Sequence, residues 1–399
     1  MTARLLLIAL LTGVAAAAQA QQWRFTPPAV VTAPGGERVF PHLESAGRRS
    51  LAVDGDQVAV VWEDNRSGTP LAYAAFRNDG GDGFEARRRI SGDGPAFAPA
   101  VTALGGGRFL AAWEEDGRVK SRLLTRERAG PATVLAESAA QPTLHTAGGR
   151  AFAAWSEGER GSKRVVLAAL AVEDETATVR WRRPVAPHDG RGDQLYPALL
   201  ALGERALVAW EDRRHGHTRL YCAVRAATGG GTGPVQLNET AGGGNPQYGR
   251  GTGVTRVALA NGGGHLAAVW MDKRHFRGGY DIYAAVGPAE QARFGPNEKA
   301  QDLFGSNTPQ WHPAVAVGPS GQVVAAWDDP RDGNPDLWLS VRTGEGEWSD
   351  DFTFEGGSGP GAQSHPVVAF DGAGRLHLAW VDRGTGGTRI LYSVGRPAE

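Results

Sequence analysis

One segment predicts the architecture of the chain: residues 312–341, with the sequence HPAVAVGPSGQVVAAWDDPRDGNPDLWLSV. Its first apolar run is followed by Gly-Pro-Ser-Gly, a combination typical of turns. A second apolar run ends at Trp327, and after a polar loop an alternating run leads to Val341. Apolar runs of four to eight residues that are rich in valine and aromatics favour strands over helices. The segment is therefore predicted to form three antiparallel strands, here called a, b and c.

The same pattern recurs along the chain, with a tryptophan at the end of each strand b. The tryptophans are Trp62, Trp113, Trp155, Trp210, Trp270, Trp327 and Trp380. A carboxylate follows two residues after each one, at Asp64, Glu115, Glu157, Asp212, Asp272, Asp329 and Asp382. Four copies add an arginine two residues later, at Arg66, Arg214, Arg274 and Arg331. Intervals of about 42 to 60 residues are typical of propeller repeats.

The seven copies predict an all-β fold, a seven-bladed β-propeller with four antiparallel strands in each blade. One meander cannot bury both of its faces, whereas blades stacked around an axis bury them and leave only short edges. The last copy ends with its third strand at Val394, and the N-terminal run Trp23–Thr32 is a spare strand. We expect this run to complete the last blade as its outermost strand, because an edge tolerates its two prolines.

Composition and length agree with one exported β domain. The 42 basic and 43 acidic residues nearly balance, which argues against nucleic acid as the main partner. The single cysteine, Cys222, can form neither an internal disulfide nor a cysteine-based zinc site. A chain of this length is unusual as one domain unless it is a barrel or a propeller. We therefore predict a single propeller domain over residues 21–399.

Residues 1–20 have the pattern of an export signal. Arg4 is followed by an apolar run, and Ala18-Gln19-Ala20 forms an A-x-A cleavage site. We expect cleavage after Ala20 and a periplasmic or secreted bacterial protein. The apolar run is too short to span a bilayer comfortably, and no other segment indicates a membrane span.

The loop pattern Trp-x-Asp-x-Arg-x-Gly, as in Trp62–Gly68, together with Asp281-Ile-Tyr283 resembles the repeats of sialidase-like (BNR-type) propellers. Members of that superfamily also carry Asp boxes on the turn between strands c and d, and residues 77–84 look like a degraded copy. Sialidases are similar in using an Arg-Ile-Pro motif, an arginine triad, a Tyr–Glu pair and an Asp acid. The nearest segment here, Arg38–Pro41, is one residue too long, and no Tyr–Glu pair matches. The resemblance therefore implies the architecture and does not carry the hydrolase activity.

A candidate site follows from the geometry of a propeller, because the residues that enter each strand a surround one mouth of the central channel. Arginine binds carboxylates bidentately, tryptophan and tyrosine stack on sugars, and histidine can act as an acid or a base. Tyr196, His312 and His365 are therefore candidate catalytic residues. The glycine-rich connection 241–253 contributes two further candidates, because long loops often carry function. The predicted binding residues are Arg48, Tyr196, Tyr248, Arg250, Arg256, Trp311, His312 and His365.

Each signal also has a structural interpretation. The repeated tryptophans favour core positions between blades. The carboxylates that follow them favour hydrogen bonds to loop N–H groups or ion pairs with the nearby arginines. The two His-Pro pairs could pack at strand starts, and the loop that carries Tyr248 could be an insertion. We expect no metal and no cofactor, although the acidic segment Asp328–Asp336 could hold calcium despite lacking the EF-hand spacing.

Three functions remain open from the sequence. The leading hypothesis is an exported sialidase-like propeller that binds an extracellular, acidic glycan at the channel mouth. The second is a glycoside hydrolase or a polysaccharide lyase, because some seven-bladed lyases are similar in using His, Tyr and Arg beside a uronate carboxylate. The third is a protein-interaction scaffold without a small-molecule site, in which the residues at the mouth would pair with one another.

Overall fold

The computed structural model describes residues 23–398, except 33–34, 37, 44–46, 79–80, 82, 188–189, 228, 240–252, 275–278, 344–345 and 385. The predicted signal peptide lies outside the described residues. In the described part of the chain, no helix is long and apolar enough to cross a membrane. The sole helical element there is a short 3-10 turn, Phe304–Asn307.

The described residues form seven antiparallel sheets, which are the blades of the ring. An N-terminal segment comes first, with β1 (Trp23–Phe25) and β2 (Ala29–Val30). Blades 1 to 3 then contain β3 (Leu51–Asp54), β4 (Gln57–Asp64), β5 (Leu71–Asn78), β6 (Glu85–Arg89), β7 (Ala96–Gly105), β8 (Arg108–Glu115), β9 (Arg118–Leu124), β10 (Thr133–Ala136), β11 (Ala139–Ala147), β12 (Arg150–Glu157), β13 (Arg164–Val172) and β14 (Ala177–Pro184).

The second half of the chain repeats this order, and the predicted seven-bladed all-β fold is confirmed. Blades 4 to 7 contain β15 (Gln194–Leu202), β16 (Arg205–Asp212), β17 (Arg219–Ala226), β18 (Val235–Gln236), β19 (Val254–Gly262), β20 (His265–Asp272), β21 (Asp281–Pro288), β22 (Asn297–Lys299), β23 (Trp311–Val317), β24 (Val323–Asp329), β25 (Asp336–Arg342), β26 (Ala362–Phe370), β27 (Leu376–Gly384) and β28 (Gly387–Pro397).

The outer positions of the last two blades differ from the others. In blade 7, β1 and β2 both pair antiparallel with β28, with Phe25 opposite Gly395 and Ala29 opposite Tyr392. In blade 6, the sheet has three strands, β23 to β25. Two isolated bridges, from Leu339 to Phe352 and from Arg342 to Trp348, replace a regular fourth strand in blade 6.

The core consists of apolar layers between consecutive blades, and each layer contains one of the repeated tryptophans. Trp270 of blade 5, for example, packs with Leu200 and Leu220 of blade 4. The layer that contains Trp62 joins blade 1 to Ile390 and other residues of blade 7, and so closes the ring. All seven tryptophans are at most 1% exposed. The prediction that they are core residues is therefore confirmed.

Candidate functional site

The loop between strands b and c is held by the carboxylate two residues after the tryptophan. In blade 4, Asp212 accepts a hydrogen bond from Trp210 Nε1 at 3.1 Å and from the Arg214 backbone N–H at 3.1 Å. The Arg214 guanidinium forms an ion pair with the same carboxylate at 2.6 Å. Burial alone would raise the pKa of Asp212, but the bonds from Arg214 and Trp210 outweigh it, and the pKa is lowered. This repeated motif therefore has a structural role, as the structural interpretation of these carboxylates predicted.

The entry of strand a has an unusual backbone in six blades. Each entry is a β-bulge at which the ladder between strands a and b shifts register. A non-glycine residue in the left-handed region costs about 1–2 kcal/mol, so each position must be fixed by its surroundings. The left-handed residues at these bulges, with φ from 50° to 61°, are Ala98, Gln141, Tyr196, Arg256, His312 and His365.

A carboxylate of the preceding blade fixes several of these bulges by accepting the backbone N–H of the left-handed residue. The acceptor is the residue directly after the tryptophan, which strand alternation places on the opposite face from the tryptophan. These residues were not among the predicted site residues, although the repeated acidic pair after the tryptophan is a signal that could have found them. The pairs are Glu63 with Ala98 (2.7 Å), Glu114 with Gln141 (3.4 Å), Glu211 with Arg256 (2.9 Å) and Asp328 with His365 (3.0 Å).

Blade 3 shows the same connection made by a different residue. Ser156 follows its tryptophan and is too short to reach the next blade. Gln141 Oε1 accepts from the Ser156 hydroxyl at 3.0 Å and from the Tyr196 N–H at 2.9 Å. The entry of each of these blades is thus tied to the blade before it.

Two of the predicted histidines meet at the mouth. The rings of His312 and His365 are stacked, with centroids 3.6 Å apart and planes 22° apart. Asp328 Oδ1 lies 2.8 Å from His312 Nδ1 and also accepts the His365 backbone N–H. His42 of the segment before blade 1 meets the edge of His365, with ring centroids 4.7 Å apart. The cluster His42–His312–Asp328–His365 therefore joins blades 1, 6 and 7.

Three other predicted residues form a second group. The Arg256 guanidinium lies 4.1 Å from the centre of the Tyr196 ring, and the Arg48 guanidinium lies 5.6 Å from it. Arg48 reaches blade 4 because Gly47, the residue before it, lies against blades 3 to 5, and its carbonyl accepts a hydrogen bond from Thr143 Oγ1 at 2.7 Å. Gly47 packs so closely on Ala198 that a Cβ there would come within 2.8 Å of the alanine Cβ.

A cavity continues from this group into the channel, lined by residues that include Arg48, Arg49 and Val315. Burial lowers the pKa of Arg49 to about 10, and its guanidinium donates to the Leu259 carbonyl at 3.1 Å. Burial and the Arg49 charge together hold the pKa of His145 well below its usual value. His145 Nδ1 accepts the Ala201 N–H at 2.9 Å. Two arginines, Arg48 and Arg49, therefore line this cavity, whereas His145 is held in its neutral form.

An exposed aromatic residue lies beside the histidine cluster. Trp311 is 36% exposed, and its ring is 6.5 Å from that of His312. Tyr280 meets Trp311 edge to face at 5.3 Å, and the Lys273 ammonium lies 4.4 Å from the centre of the Tyr280 ring. Phe97 has the same strand position in blade 2, where it lies opposite Glu114 and precedes Ala98, and it is 39% exposed.

The structure thus brings together Trp311, His312 and His365 in one group and Arg48, Tyr196 and Arg256 in another. Tyr248 and Arg250 lie outside the described residues. The acidic segment after Trp327 is divided among separate partners. Asp328 contacts His312, Asp329 binds Arg331 at 2.7 Å, and Asp336 accepts the Gly359 N–H at 3.1 Å.

No family model and no curated protein matches the chain. Among solved structures, the polysaccharide lyase Uly1 has a TM-score of 0.56 and 11% identity, covering 89% of this chain and 91% of that chain. The α-L-arabinofuranosidase Arb93A from Fusarium graminearum has a TM-score of 0.51 and 12% identity, covering 75% and 92%. A protein of unknown function from Dyadobacter fermentans has a TM-score of 0.54 and 12% identity, covering 94% and 99%. At these identities the likeness shows the fold alone.

Proposed function

We propose that this chain is an exported, sialidase-like propeller that binds an acidic glycan at the channel mouth. The observation that carries the proposal is the exposed Trp311 beside the His312–His365 stack, on the same face as Arg256 and Tyr196. An aromatic face offers a stacking platform for a sugar ring, and a guanidinium matches the geometry of a carboxylate.

The arrangement of charge around the mouth supports the acidic part of this proposal. Blades 4 to 7 supply Tyr196, Arg256, His312 and His365 at the strand entries, whereas blades 2 and 3 supply the uncharged Ala98 and Gln141. The carboxylates that follow the tryptophans are bonded to backbone N–H groups, which offsets part of their negative charge. A lyase and an arabinofuranosidase with the same fold support a carbohydrate ligand in general terms.

The test is binding of defined oligosaccharides, measured by calorimetry or on a glycan array. We expect an oligouronide to bind the wild-type chain and its neutral counterpart to bind at least about tenfold more weakly, since one bidentate ion pair contributes about 1.5–3 kcal/mol. Trp311→Ala should abolish most of the binding. Phe97→Ala removes an equally exposed aromatic at the same strand position and serves as the matched control. Binding that survives Arg256→Ala together with His312→Ala would contradict the proposal.

A second candidate, polysaccharide lyase activity, is favoured by the contact between His312 Nδ1 and Asp328. A carboxylate at Nδ1 orients an imidazole so that Nε2 can accept a proton. In such a reaction, His312 removes the proton beside the uronate carboxylate and the bond to the leaving oxygen breaks. A carbon–carbon double bond forms, and Tyr196 supplies the proton to the leaving group.

The lyase candidate predicts an unsaturated product that absorbs in the ultraviolet when ulvan, pectin or a glycosaminoglycan is the substrate. His312→Ala should remove this signal, and Asp328→Asn should lower kcat more than it changes KM, because Asp328 does not touch the substrate. Glycoside hydrolysis would release reducing ends without the absorbance. A lack of both signals across a broad polysaccharide panel would leave binding as the function.

The export and scaffold hypotheses have separate tests. We propose a periplasmic or secreted location on the basis of residues 1–20, and cell fractionation with detection of the processed N-terminus measures it. A protein-interaction scaffold would have its mouth residues paired with one another and would have no open pocket. The mouth residues do contact one another, in the His312–His365 stack and between Arg256 and Tyr196. The exposed Trp311 and the cavity beside Arg48 favour a ligand site.

A further inference from the structure

We propose that His312, Asp328 and His365 form a binding site for a divalent transition metal at the channel mouth. One possible ligand atom from each of these side chains lies within 4.8 Å of the others. Two ligands of one metal at about 2.1 Å are separated by roughly 3 to 4 Å, so small rotations of the side chains bring the three atoms into coordination. The sequence predicted no metal here, because the three residues are 16 and 37 positions apart and form no local zinc-binding pattern.

Each of the two histidines has a polar contact at one ring nitrogen, as metal-binding histidines do. Asp328 Oδ1 contacts His312 Nδ1, and the Ser364 hydroxyl lies 3.0 Å from His365 Nδ1. Metal-binding histidines typically hold one ring nitrogen with a carboxylate, carbonyl or similar group, which fixes the ring and directs the other nitrogen to the metal. The Ser364 hydroxyl fills this role for His365. Asp328 Oδ1 and His312 Nδ1, 2.8 Å apart, are instead separated by nearly the distance between two ligands of one metal. A metal that replaces the proton between them would bind both atoms, with a ring nitrogen of His365 as the third ligand.

The stacked rings supply a reason for the proposal beyond proximity. Two imidazoles lie 3.6 Å apart, a third from His42 meets their edge, and Asp328 is the carboxylate in contact with the stack. Apolar residues at these positions would pack without the free-energy cost of burying polar groups. A cation coordinated by both rings and the carboxylate would account for these donor atoms lying together.

The donor set selects the class of metal. Imidazole nitrogens with one carboxylate suit Zn²⁺ and its transition-metal neighbours, whereas Ca²⁺ prefers six to eight oxygen ligands. The side chain of His312 is 29% exposed and that of Asp328 is 4% exposed. One side of the site therefore faces solvent, as in zinc sites that keep an open coordination position.

This inference does not rest on the proposed function, because metal binding is measured with no glycan present. It also separates the two candidate functions. A metal bound by His312 and Asp328 would remove the contact that orients the imidazole in the lyase candidate, so zinc binding at this cluster counts against that mechanism.

The experiment uses the tag-free chain, stripped with chelator and then titrated with Zn²⁺ by calorimetry, with metal content measured by mass spectrometry. We expect one zinc ion per chain for the wild type. Asp328→Asn keeps the size of the side chain and should weaken zinc binding about 10- to 100-fold. His365→Ala should abolish the site. His217→Ala removes an exposed histidine from the loop after β16 and is the matched control, for which we expect wild-type binding.

Co²⁺ provides a second readout, because its visible spectrum reports nitrogen ligands. The wild-type spectrum should disappear in His365→Ala and change in Asp328→Asn, with unchanged circular dichroism as evidence of folding. Zinc binding that is equal in the wild type and all variants would show adventitious surface binding only and would overturn the proposal. Absence of stoichiometric zinc in the wild type would overturn it as well.

Discussion

The most direct test of the repeated motif is replacement of Asp212 by alanine in blade 4. The carboxylate is buried and accepts hydrogen bonds from Trp210 Nε1, the Arg214 N–H, the Arg214 side chain and Gln194 Nε2. Its removal leaves a buried indole N–H and a largely buried guanidinium without their acceptor. Breaking a buried ion pair from one side costs about 3–5 kcal/mol, and we expect Asp212→Ala to lower the free energy of unfolding by that amount.

The chain contains a natural control in blade 7. Asp382 has the same position after Trp380, but Trp380 Nε1 has no hydrogen-bond partner within the described residues. The main partners of Asp382 are Gln363 Nε2 and Arg389, whose side chain is 39% exposed and can be solvated after the substitution. We therefore expect Asp382→Ala to cost only about 1–2 kcal/mol.

Urea unfolding followed by tryptophan fluorescence gives both values, provided that the slope m stays constant between variants. The pH dependence is a further check. Because the folded state lowers the pKa of Asp212 from 3.8, its stabilisation is present above that pH and is lost as the pH falls through the lower, folded-state value. The difference between the wild type and Asp212→Asn should therefore shrink in acid. Equal costs for Asp212→Ala and Asp382→Ala would refute the reasoning.

Three further outcomes are expected. Burial raises the pKa of Asp351 to about 7, against the opposing effect of Arg331, so the folded state holds a proton that the unfolded state loses above about pH 4. Stability should fall as the pH rises from about 4 to 7, and Asp351→Asn should flatten this fall in urea titrations at several pH values. Burial raises the pKa of the Cys222 thiol to about 11, so at pH 8 the native chain should react with Ellman's reagent roughly a hundredfold more slowly than the unfolded chain, because the thiolate is the reactive form; equal rates would contradict this. Trp270→Ala should lower the free energy of unfolding by about 3–5 kcal/mol, because Trp270 is buried. Trp311 is exposed, so Trp311→Ala should leave the melting temperature nearly unchanged. Differential scanning calorimetry of the two variants measures both effects.

The architecture could be predicted because its signals are local and repeated. Each tryptophan at the end of strand b is an apolar side chain in an alternating run, and seven copies in phase indicate seven blades. The role of Asp64 and its equivalents was also accessible, since a carboxylate two residues after the tryptophan lies on the same side of the strand. Blade 6 departs from the pattern because its outer segment forms only isolated bridges with β25. No sequence feature predicted this missing fourth strand.

The site was only partly accessible from the sequence. The rule that strand entries surround the channel selected His312 and His365, which the structure brings into contact. It did not select Glu211 or Asp328, which follow the tryptophans and bond to the next blade. It did not place His42 in the cluster either, because His42 lies between β2 and β3 and pairs with Glu63 of β4 only through an isolated bridge.

The sequence by itself determined the number of blades, the buried tryptophans and the loops that follow them, because each depends on residues a few positions apart. Tertiary structure alone decided which entry residues meet. Their positions depend on left-handed bulges that local propensity disfavours, and those bulges are fixed by carboxylates from another blade. Arg48 reaches Tyr196 because Gly47 packs against Ala198 of blade 4. Contacts between residues more than a hundred positions apart are set by the closure of the ring and cannot be derived from any single repeat.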